Sequence, residues 1–372
     1  AAGTAAVRVR LKNWGKSTLS AYCCESRNII YFMFFLSKTN SVDTLMSERT
    51  LTARIVGVGK ALPEKRLTNA DLEKMVDTSD AWIRQRVGIR ERRIAAPGEY
   101  TSDFAVRAAA AAVGQAGMTA DQIDLILVAT STPDTIYPSV ACLVQKALGA
   151  THAGVLDISA ACTGFVYGAS LAWGMIRSGL MKNVLVIGAE VNSAIVNWKD
   201  RDTCILFGDG AGAAVFSAHH SETDGVLSAK LGGDGTQTDL LELANSGIRP
   251  NPNVPGRYIT MQGNEVFKQA VRNMSECAVC ALDRAGLTPH DVSLLIAHQA
   301  NTRIIEAVAK RLDLPSEKIF LNIADYGNTS AATIPIALCE ALEQGRLKKN
   351  DVLVMVAFGA GLTWGALTMR WA

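Results

Sequence analysis

The sequence has almost no net charge and few cysteines for its length. Lys and Arg total 37 against 35 Asp and Glu, so the 372 residues carry a formal net charge of +2. This balance argues against a generic nucleic-acid-binding or polybasic membrane-surface protein, although it leaves room for a local basic patch. The eight scattered cysteines do not make a disulfide framework, and we expect reduced thiols in a cytosol-like compartment.

Long hydrophobic runs are also missing. No stretch reaches about 18 uncharged apolar residues, so we expect no membrane-spanning helix and no membrane partner. The apolar run Ile29 to Leu36 would extend only about 12 Å as a helix. Apolar residues nevertheless make up 49% of the chain, which is enough to build a large core.

Metal and dinucleotide motifs are incomplete. Cys277 and Cys280 form a C-x-x-C pair, but no second pair accompanies it, so we expect no zinc and no other metal. Gly57-x-Gly59 lacks the third glycine of a dinucleotide fingerprint. We therefore expect no bound cofactor.

Residues 1–45 differ in composition from the rest, with six basic residues against two acidic ones. They resemble either a transit-like presequence or a non-native extension ahead of a start at Met46. We favour the extension, expect it to be disordered and exclude it from the fold. Under this interpretation the protein acts in the cytoplasm; a transit peptide would direct it to a plastid instead.

The remaining sequence contains two internal similarities in the same order. Residues 117–130 align without gaps with 286–299, and residues 179–187 resemble 345–355. Each segment reads as a helix end, a turn and an apolar strand. We therefore predict two similar α/β halves, 46–217 and 218–372, joined by a loop-rich stretch over 218–258.

The predicted strands are continuous apolar runs, which indicates burial on both faces. They are Ile123 to Ala129, Val155 to Ile158, Val184 to Ile187, Leu294 to Ala297 and Val352 to Val356. Helices must then cover both faces of each sheet. Two halves that share a central helical layer predict an α/β fold stacked as helix, sheet, helix, sheet, helix.

Cys162 follows a predicted strand and begins a predicted helix among small residues. A helix N-terminus presents unpaired N–H groups and the positive end of the dipole, which favour thiolate over thiol. The position therefore suggests a nucleophile with a lowered pKa. A buried structural cysteine is the alternative.

Three further segments place polar or glycine-rich corners at predicted strand ends. His298 follows the strand ending at Ala297, Asn328 precedes small residues and a helix, and 359–361 is a glycine-rich loop. Each has an ordinary explanation: a core histidine, an N-cap and a tight turn. Together, a sulfur, an imidazole and an amide match a thiol nucleophile with two assisting groups.

Six motifs, in order along the sequence, resemble those of a known family. The motifs are DTSDAWIRQRVGIRER from Asp77, Ala160-Ala-Cys162-Thr-Gly-Phe, Phe207-Gly-Asp-Gly-Ala-Gly, His298-Gln-Ala-Asn301, Tyr326-Gly-Asn328-Thr-Ser and Phe358-Gly-Ala-Gly-Leu-Thr-Trp-Gly. They resemble the thiolase superfamily, most closely the type III β-ketoacyl-acyl-carrier-protein synthases, over essentially all of 51–372. The resemblance implies a five-layer αβαβα thiolase-like fold and a homodimer.

The resemblance also implies a reaction. An acyl-CoA, expected to be acetyl-CoA, acylates Cys162, and malonyl-acyl carrier protein (malonyl-ACP) loses CO2 beside His298 and Asn328 to give 3-oxoacyl-ACP and initiate fatty acid synthesis. Acyl-CoA is thus a substrate and not a cofactor. The alternatives are a thiolase-fold acyltransferase or ketosynthase of secondary metabolism with another acceptor, and a partner subunit without activity.

Further residues match family positions and carry implied roles. The backbone N–H groups of Cys162 and Ala360 are implied to form an oxyanion site. Trp82 and Arg86 are implied to hold the adenine of CoA and Arg201 its phosphate. Asn264, Phe267 and Asn301 are implied to line the CoA tunnel. Lys268, Arg303, Lys310 and Arg311 are implied to dock the carrier protein. Tyr137 and Phe207 are implied to lie at the acyl pocket, with Tyr137 reaching into that of the partner subunit.

Overall fold

The computed structural model describes residues 50–372 and, ahead of them, three strands, Ala6–Val9, Thr18–Ser26 and Ile29–Ser37. These three strands form an antiparallel sheet of their own. Residues Thr50–Ala372 form one compact unit. About half of residues 1–45 lie in these strands and the rest lie outside the described residues. The expectation that 1–45 is a disordered extension stays a prediction.

The first sheet of the compact unit has five strands. In spatial order they are Leu51–Ala61, Gly210–His220, Asn183–Glu190, Leu125–Ala129 and Gly154–Ile158. The last three run parallel, and Gly210–His220 is antiparallel to both of its neighbours. The carboxyl ends of the three parallel strands therefore meet at one edge of the sheet, where ligands bind in open α/β sheets.

The second sheet has four strands. In spatial order they are Gly225–Gly233, Thr363–Arg370, Val352–Gly359 and Leu294–Ala297. Leu294–Ala297 and Val352–Gly359 are parallel, so His298 and the loop after Gly359 leave the sheet at the same end.

Helices fill the other three layers. Gly164–Arg177 and Thr333–Glu343 lie between the sheets, and their apolar side chains share one core with both of them. Thr101–Gln115 and Val140–Leu148 contribute to a core on the far side of the first sheet. Gly263–Arg284 and Thr302–Arg311 do the same on the second. The predicted five-layer stack is confirmed.

The internal duplication is visible in the elements. Thr101–Gln115 leads through a capped 3-10 turn into Leu125–Ala129, and Gly263–Arg284 leads through a similarly capped turn into Leu294–Ala297. The short elements are helices Asn69–Leu72, Asp80–Val87, Arg201–Cys204 and Ile323–Tyr326, and strands Arg66–Thr68, Glu91–Arg93, Leu241–Leu243 and Ile259–Met261.

Some predicted details are wrong. Gly154–Ile158 was expected to be buried on both faces, but it is an edge strand and Leu156 is 47% exposed. The stretch 218–258 is not only loop, since it contains the strand Gly225–Gly233. The strand expected from Ile123 begins at Leu125. Among the residues that the structure describes, no helix is long and apolar enough to cross a membrane.

Candidate active site

A cavity of about 710 Å³ opens where the strand ends of both halves converge. Cys162, His298 and Asn328 all line it, although they are far apart in the sequence. The two parallel-strand edges direct the chain into this region from opposite sheets. The structure thus brings together the three side chains that the strand-end corners predicted.

Cys162 lies in the 3-10 turn Ala161–Thr163, between the edge strand and the helix Gly164–Arg177. The thiol interacts with the Ser330 hydroxyl. Burial raises the pKa of the Cys162 thiol to about 12, against the lowered pKa expected from the helix N-terminus. Desolvation disfavours the charged thiolate and here outweighs the helix dipole. The sulfur therefore needs a proton acceptor when substrate arrives.

His298 is 2% exposed and follows the strand Leu294–Ala297 directly. Its Nδ1 lies 2.7 Å from the Thr333 hydroxyl, which lies 3.0 Å from the carbonyl oxygen of Ser330. Burial lowers the pKa of the His298 imidazole to about 3, so the ring is neutral at physiological pH. The Thr333 hydroxyl has one proton, and while it donates that proton to the Ser330 carbonyl it accepts from Nδ1–H, which leaves Nε2 without a proton. When the hydroxyl turns to donate to Nδ1 instead, the proton of the neutral ring is on Nε2.

Asn328 is 6% exposed and is fixed by its neighbours on both sides. Its backbone N–H donates to the carbonyl of Leu206 at 2.8 Å, and its Oδ1 accepts from the N–H of Ser330 at 2.8 Å. This bond from residue i+2 is an Asx turn, and the N-cap of the turn Ser330–Ala332 is Thr329, so the capping alternative for Asn328 is wrong. Because Oδ1 is occupied in this way, the Nδ2 amide group is left as the donor for a ligand.

The loop after Gly359 lies against the backbone of Cys162. A Cβ built on Gly359 would be 2.8 Å from the Cys162 nitrogen, so the approach requires glycine. Ala360 lines the cavity, and the positive φ in this loop falls on Gly361 (138°). Alanine at 360 is therefore compatible with the loop, and the backbone N–H groups of residues 162 and 360 stay candidate oxyanion donors.

Trp82 and two arginines lie close together, but only Trp82 and Arg86 of the three line the cavity. Arg86 and Trp82 line the cavity, but the guanidinium over the Trp82 ring belongs to Arg201, with its Cζ 5.1 Å from the ring centroid. The expectation that Trp82 and Arg86 hold the adenine of CoA is not tested by this contact and stays a prediction. Arg86 lies one helical turn further along Asp80–Val87, on the same helix as Trp82.

Polar and aromatic side chains line the cavity beyond this point. Asn264, Phe267, Asn301 and Phe207 are all among its lining residues. Asn301 also caps the helix Thr302–Arg311 by accepting from the N–H of residue 303 at 2.9 Å. These side chains were placed along the CoA tunnel or at the acyl pocket by resemblance, and the structure collects them around one space.

The basic side chains divide into two groups. Lys268 and Arg303 line the cavity; Lys268 pairs with Glu265 at 2.7 Å, and the Arg303 guanidinium lies 5.7 Å from the Phe267 ring. Lys310 and Arg311 are exposed at the end of the same helix as Arg303 and are not among the lining residues.

Tyr137 is not brought to this cavity either. It is 85% exposed, next to Ile136 at 80%, and neither is among the residues lining the cavity of its own chain. Two neighbouring exposed apolar side chains are typical of an interaction surface. The implied contact of Tyr137 with a partner subunit therefore stays a prediction.

Glu190 and Ser330 were missed by the sequence analysis. Glu190 ends the central strand Asn183–Glu190 and is completely buried, and its carboxyl interacts with the Ser330 hydroxyl. The only signal in the sequence is an acidic residue at the carboxyl end of an apolar strand. Within residues 50–372, no cluster of His, Cys, Asp and Glu side chains could hold a metal ion.

Two regions of the chain match the family described as 3-oxoacyl-(acyl-carrier-protein) synthase III. Residues 156–235 match that description, and residues 282–371 match its C-terminal part. A curated β-ketoacyl-(acyl-carrier-protein) synthase III from Roseiflexus castenholzii is 52% identical over 325 residues, which is 86% of this chain and 98% of the relative.

Solved structures agree with the sequence matches. The 3-oxoacyl-(acyl-carrier-protein) synthase III of Aquifex aeolicus superposes with a TM-score of 0.81 at 48% identity, covering 86% of this chain and all of the other. The priming β-ketosynthase of the R1128 polyketide pathway gives a TM-score of 0.82 at 35% identity, covering 87% of this chain and 97% of its own.

Proposed function

The chain belongs to the 3-oxoacyl-(acyl-carrier-protein) synthase III family, and from that premise we propose how its cavity performs the family's reaction. The protein is a β-ketoacyl-ACP synthase III, an acyltransferase that initiates fatty acid synthesis by condensation. Its substrates are an acyl-CoA, which we propose to be acetyl-CoA, and malonyl-ACP. The observation that carries the residue assignment is the convergence of Cys162, His298 and Asn328 on one cavity.

The first half-reaction is acyl transfer to Cys162. The sulfur attacks the thioester carbonyl of the acyl-CoA, and the CoA thiolate leaves. Negative charge develops on the carbonyl oxygen, and the backbone N–H groups of Cys162 and Ala360 are the donors that would stabilise it. The glycine at 359 lets this loop approach the nucleophile closely enough to supply one of them.

The second half-reaction is decarboxylation followed by carbon–carbon bond formation. As malonyl-ACP loses CO2, charge moves onto its thioester oxygen. The Asn328 Nδ2 group is one neutral donor for that oxygen, and His298 is the second in the tautomer in which the Thr333 hydroxyl donates to Nδ1 and the ring proton is on Nε2. The enolate then attacks the acyl-Cys162 carbonyl and releases the cysteine as thiolate.

The decisive experiment follows the acyl enzyme by intact-mass spectrometry. With a panel of acyl-CoAs, one acyl group is expected on Cys162, and adding malonyl-ACP should remove it with formation of 3-oxoacyl-ACP. Failure of every acyl-CoA to modify Cys162 would contradict the proposed function. The panel also identifies the preferred acyl chain.

A second candidate acceptor comes from secondary metabolism. The similarity to the R1128 priming β-ketosynthase favours this candidate. That protein is 35% identical to this chain, however, whereas the Roseiflexus relative is 52% identical, so the fatty acid acceptor is the first proposal. The same mass experiment separates the two, since a secondary-metabolic enzyme would prefer a different acceptor to the carrier protein of fatty acid synthesis.

We propose that Trp82 and Arg86 hold the adenine of CoA. The Arg201 guanidinium lies 5.1 Å from the centroid of the Trp82 ring, which is too close for a base to lie between them, so the purine would stack on the other face of the ring. Arg86 and Arg201 supply positive charge for the phosphates, and Asn264, Phe267 and Asn301 line the path toward Cys162.

Trp82→Ala is expected to raise the KM for acyl-CoA about tenfold while changing kcat little, because stacking on a base contributes roughly 1–3 kcal/mol. Trp82→Phe should retain part of the affinity. The control is an acyl-pantetheine substrate without adenine, whose KM should be the same for all three proteins. An equal increase for that substrate would assign Trp82 to packing alone.

We place the carrier-protein docking surface on the basic face formed by Lys268, Arg303, Lys310 and Arg311. Lys268 and Arg303 border the cavity, and the other two extend the face along the helix Thr302–Arg311. Acidic partners bind to such faces by charge complementarity. The cytoplasm is the compartment we assign to the reaction.

We also propose a homodimer that pairs through the edge strand Gly154–Ile158. Leu156 is 47% exposed there, and an unpaired edge of this kind is a template for a second chain. The exposed Tyr137 would then reach the partner's acyl pocket.

Leu156→Arg is expected to shift the protein from dimer to monomer, because it places a charge on the edge that pairs. Light scattering after size exclusion measures the mass directly. Leu180→Arg is the matched control, since Leu180 is a 67% exposed leucine outside the strand and should leave the mass unchanged. If the Leu156→Arg protein is still a dimer, the proposal that the interface lies at this edge strand is wrong.

A further inference from the structure

Glu190 is a buried carboxyl group that the reaction described above does not use. The side chain is fully buried at the carboxyl end of the strand Asn183–Glu190. Its Oε2 accepts from the hydroxyls of Thr132 at 2.8 Å and Thr130 at 3.3 Å, and the N–H of Ser131 lies 3.0 Å from Oε2 and 3.1 Å from Oε1. Within residues 50–372, no ion pair is found for it. Burial without a cation is costly for a structural carboxylate.

Ser330 connects this carboxyl group to the nucleophile. Its hydroxyl interacts with both the Glu190 carboxyl and the Cys162 thiol. Its backbone is fixed in a left-handed conformation with φ 52°, and its N–H donates to Asn328. A held hydroxyl between an acid and a thiol is the arrangement that passes protons in short steps.

Close packing of the two halves creates this contact. A Cβ on Gly188 would be 2.2 Å from the carbonyl oxygen of Ala331, so only glycine lets the central strand approach the turn Ser330–Ala332. Two residues later the same strand ends at Glu190. The position of the carboxyl beneath Ser330 is therefore a property of the fold and not of a flexible side chain.

The thiol has a clear need for a proton acceptor. Burial raises the pKa of Cys162 to about 12, and it lowers the pKa of His298 to about 3, which makes the imidazole a poor base. Burial also raises the pKa of Glu190 to about 7, so its carboxyl exchanges protons near neutral pH. A base with a pKa near the working pH is the most effective one.

We propose that Ser330 and Glu190 form a proton relay that removes the Cys162 proton during acylation and stores it until condensation is complete. This inference rests on the proposed function, because it assigns a role within that reaction. Ser330 contacts the reacting sulfur, and Glu190 acts through Ser330.

The relay balances protons over both half-reactions. In acylation, the thiol proton passes to the Ser330 oxygen while the Ser330 proton passes to the Glu190 carboxylate; the sulfur bonds to the acyl carbon and CoA leaves as thiolate. In condensation, the Cys162 thiolate is expelled and receives the stored proton by the reverse path. The one proton consumed overall is taken from water by the CoA thiolate.

Most of the groups that face the Glu190 carboxyl are neutral, so few of them can change its protonation. Thr130, Thr132 and Ser330 present neutral hydroxyls, Ser131 presents a backbone N–H, and Cys162 is the titratable neighbour. Because the carboxylate is the base, the acylation rate is expected to rise with pH through about 7 and to level off above it.

The test measures single-turnover acylation of Cys162 with acetyl-CoA by rapid quench and intact mass, from about pH 5.5 to about pH 9. Glu190→Gln is expected to slow acylation about 100-fold near neutral pH and to remove the rise around pH 7. Ser330→Ala should have a similar effect. Because one relay is broken in either case, the double variant should be no slower than the slower single variant.

Controls separate the relay from structural and electrostatic effects. Asp209→Asn removes another fully buried carboxyl group, held by Ser193 and away from the cavity lining, and should leave the acylation pH profile in place. A negative Glu190 by itself raises the pKa of Cys162, so a purely electrostatic role predicts faster acylation in Glu190→Gln. Thermal unfolding verifies that each variant is folded.

The outcomes also distinguish this inference from the proposed function. If the wild-type protein forms no acyl-Cys162 with any acyl-CoA, the proposed function fails. If the wild-type protein acylates and Glu190→Gln acylates at the same rate with the same pH profile, or faster, the relay is wrong and the function stands. Additive losses in the double variant would likewise overturn the relay.

Discussion

Cys162→Ala is expected to abolish acyl transfer from acyl-CoA and with it all condensation. The substitution removes the only atom of the cavity lining to which the acyl group is proposed to bind. His298 and Asn328 do not depend on the sulfur for their positions, so slow decarboxylation of malonyl-ACP should persist. Intact mass measures the first effect, and release of labelled CO2 measures the second.

Cys142→Ala is the matched control for this variant. Cys142 is another free, partly exposed thiol, but it lies on the outer helix Val140–Leu148 and not in the cavity. It should keep full condensation activity. An acyl group that still appears on the Cys162→Ala protein would contradict the assignment of the nucleophile.

Asn328→Asp is expected to lower the rate of malonyl-ACP decarboxylation by about 10²–10³, while acylation of Cys162 continues. The aspartate keeps the oxygen that accepts from the Ser330 N–H, so the turn is preserved. It replaces the Nδ2 donor with an oxygen, and loss of one such donor typically has an effect of this size. Labelled CO2 release gives the rate, and mass spectrometry gives the acylation.

His298→Ala provides the comparison from the other donor. It should lower decarboxylation by a similar factor and leave acylation measurable, since a neutral ring with a pKa near 3 is not the base for the thiol. If Asn328→Asp instead prevented acylation and left decarboxylation unchanged, the division of roles between the two half-reactions would be wrong.

Much of this architecture follows from local patterns in the sequence. Continuous apolar strands, followed by small residues, predicted both the layered fold and the corners that hold Cys162, His298 and Asn328. These signals are local because a strand end and the residues that follow it are neighbours in the chain. They do not require knowledge of which segments pack together.

The remaining features depend on packing between distant segments. The pairing of Trp82 with Arg201 joins two short helices that are far apart in sequence, and the contact of Glu190 with Ser330 exists only because Gly188 lies against Ala331. The raised pKa of Cys162 results from desolvation in the assembled cavity. The residues around position 162 do not indicate this burial, so the helix N-terminus alone predicts a lowered pKa for Cys162, and that prediction is wrong.

A similar 3-10 turn precedes each of the two central helices, and both turns line the cavity. Ala161 has φ 46° in the turn before Gly164–Arg177, and Ser330 has φ 52° in the turn before Thr333–Glu343. The turns are related as the two halves are, so the position that holds sulfur in one corresponds to Ala331 in the other. The two halves therefore offer equivalent corners to one cavity, and in the roles proposed here one corner carries the acyl group while the other moves protons beside it.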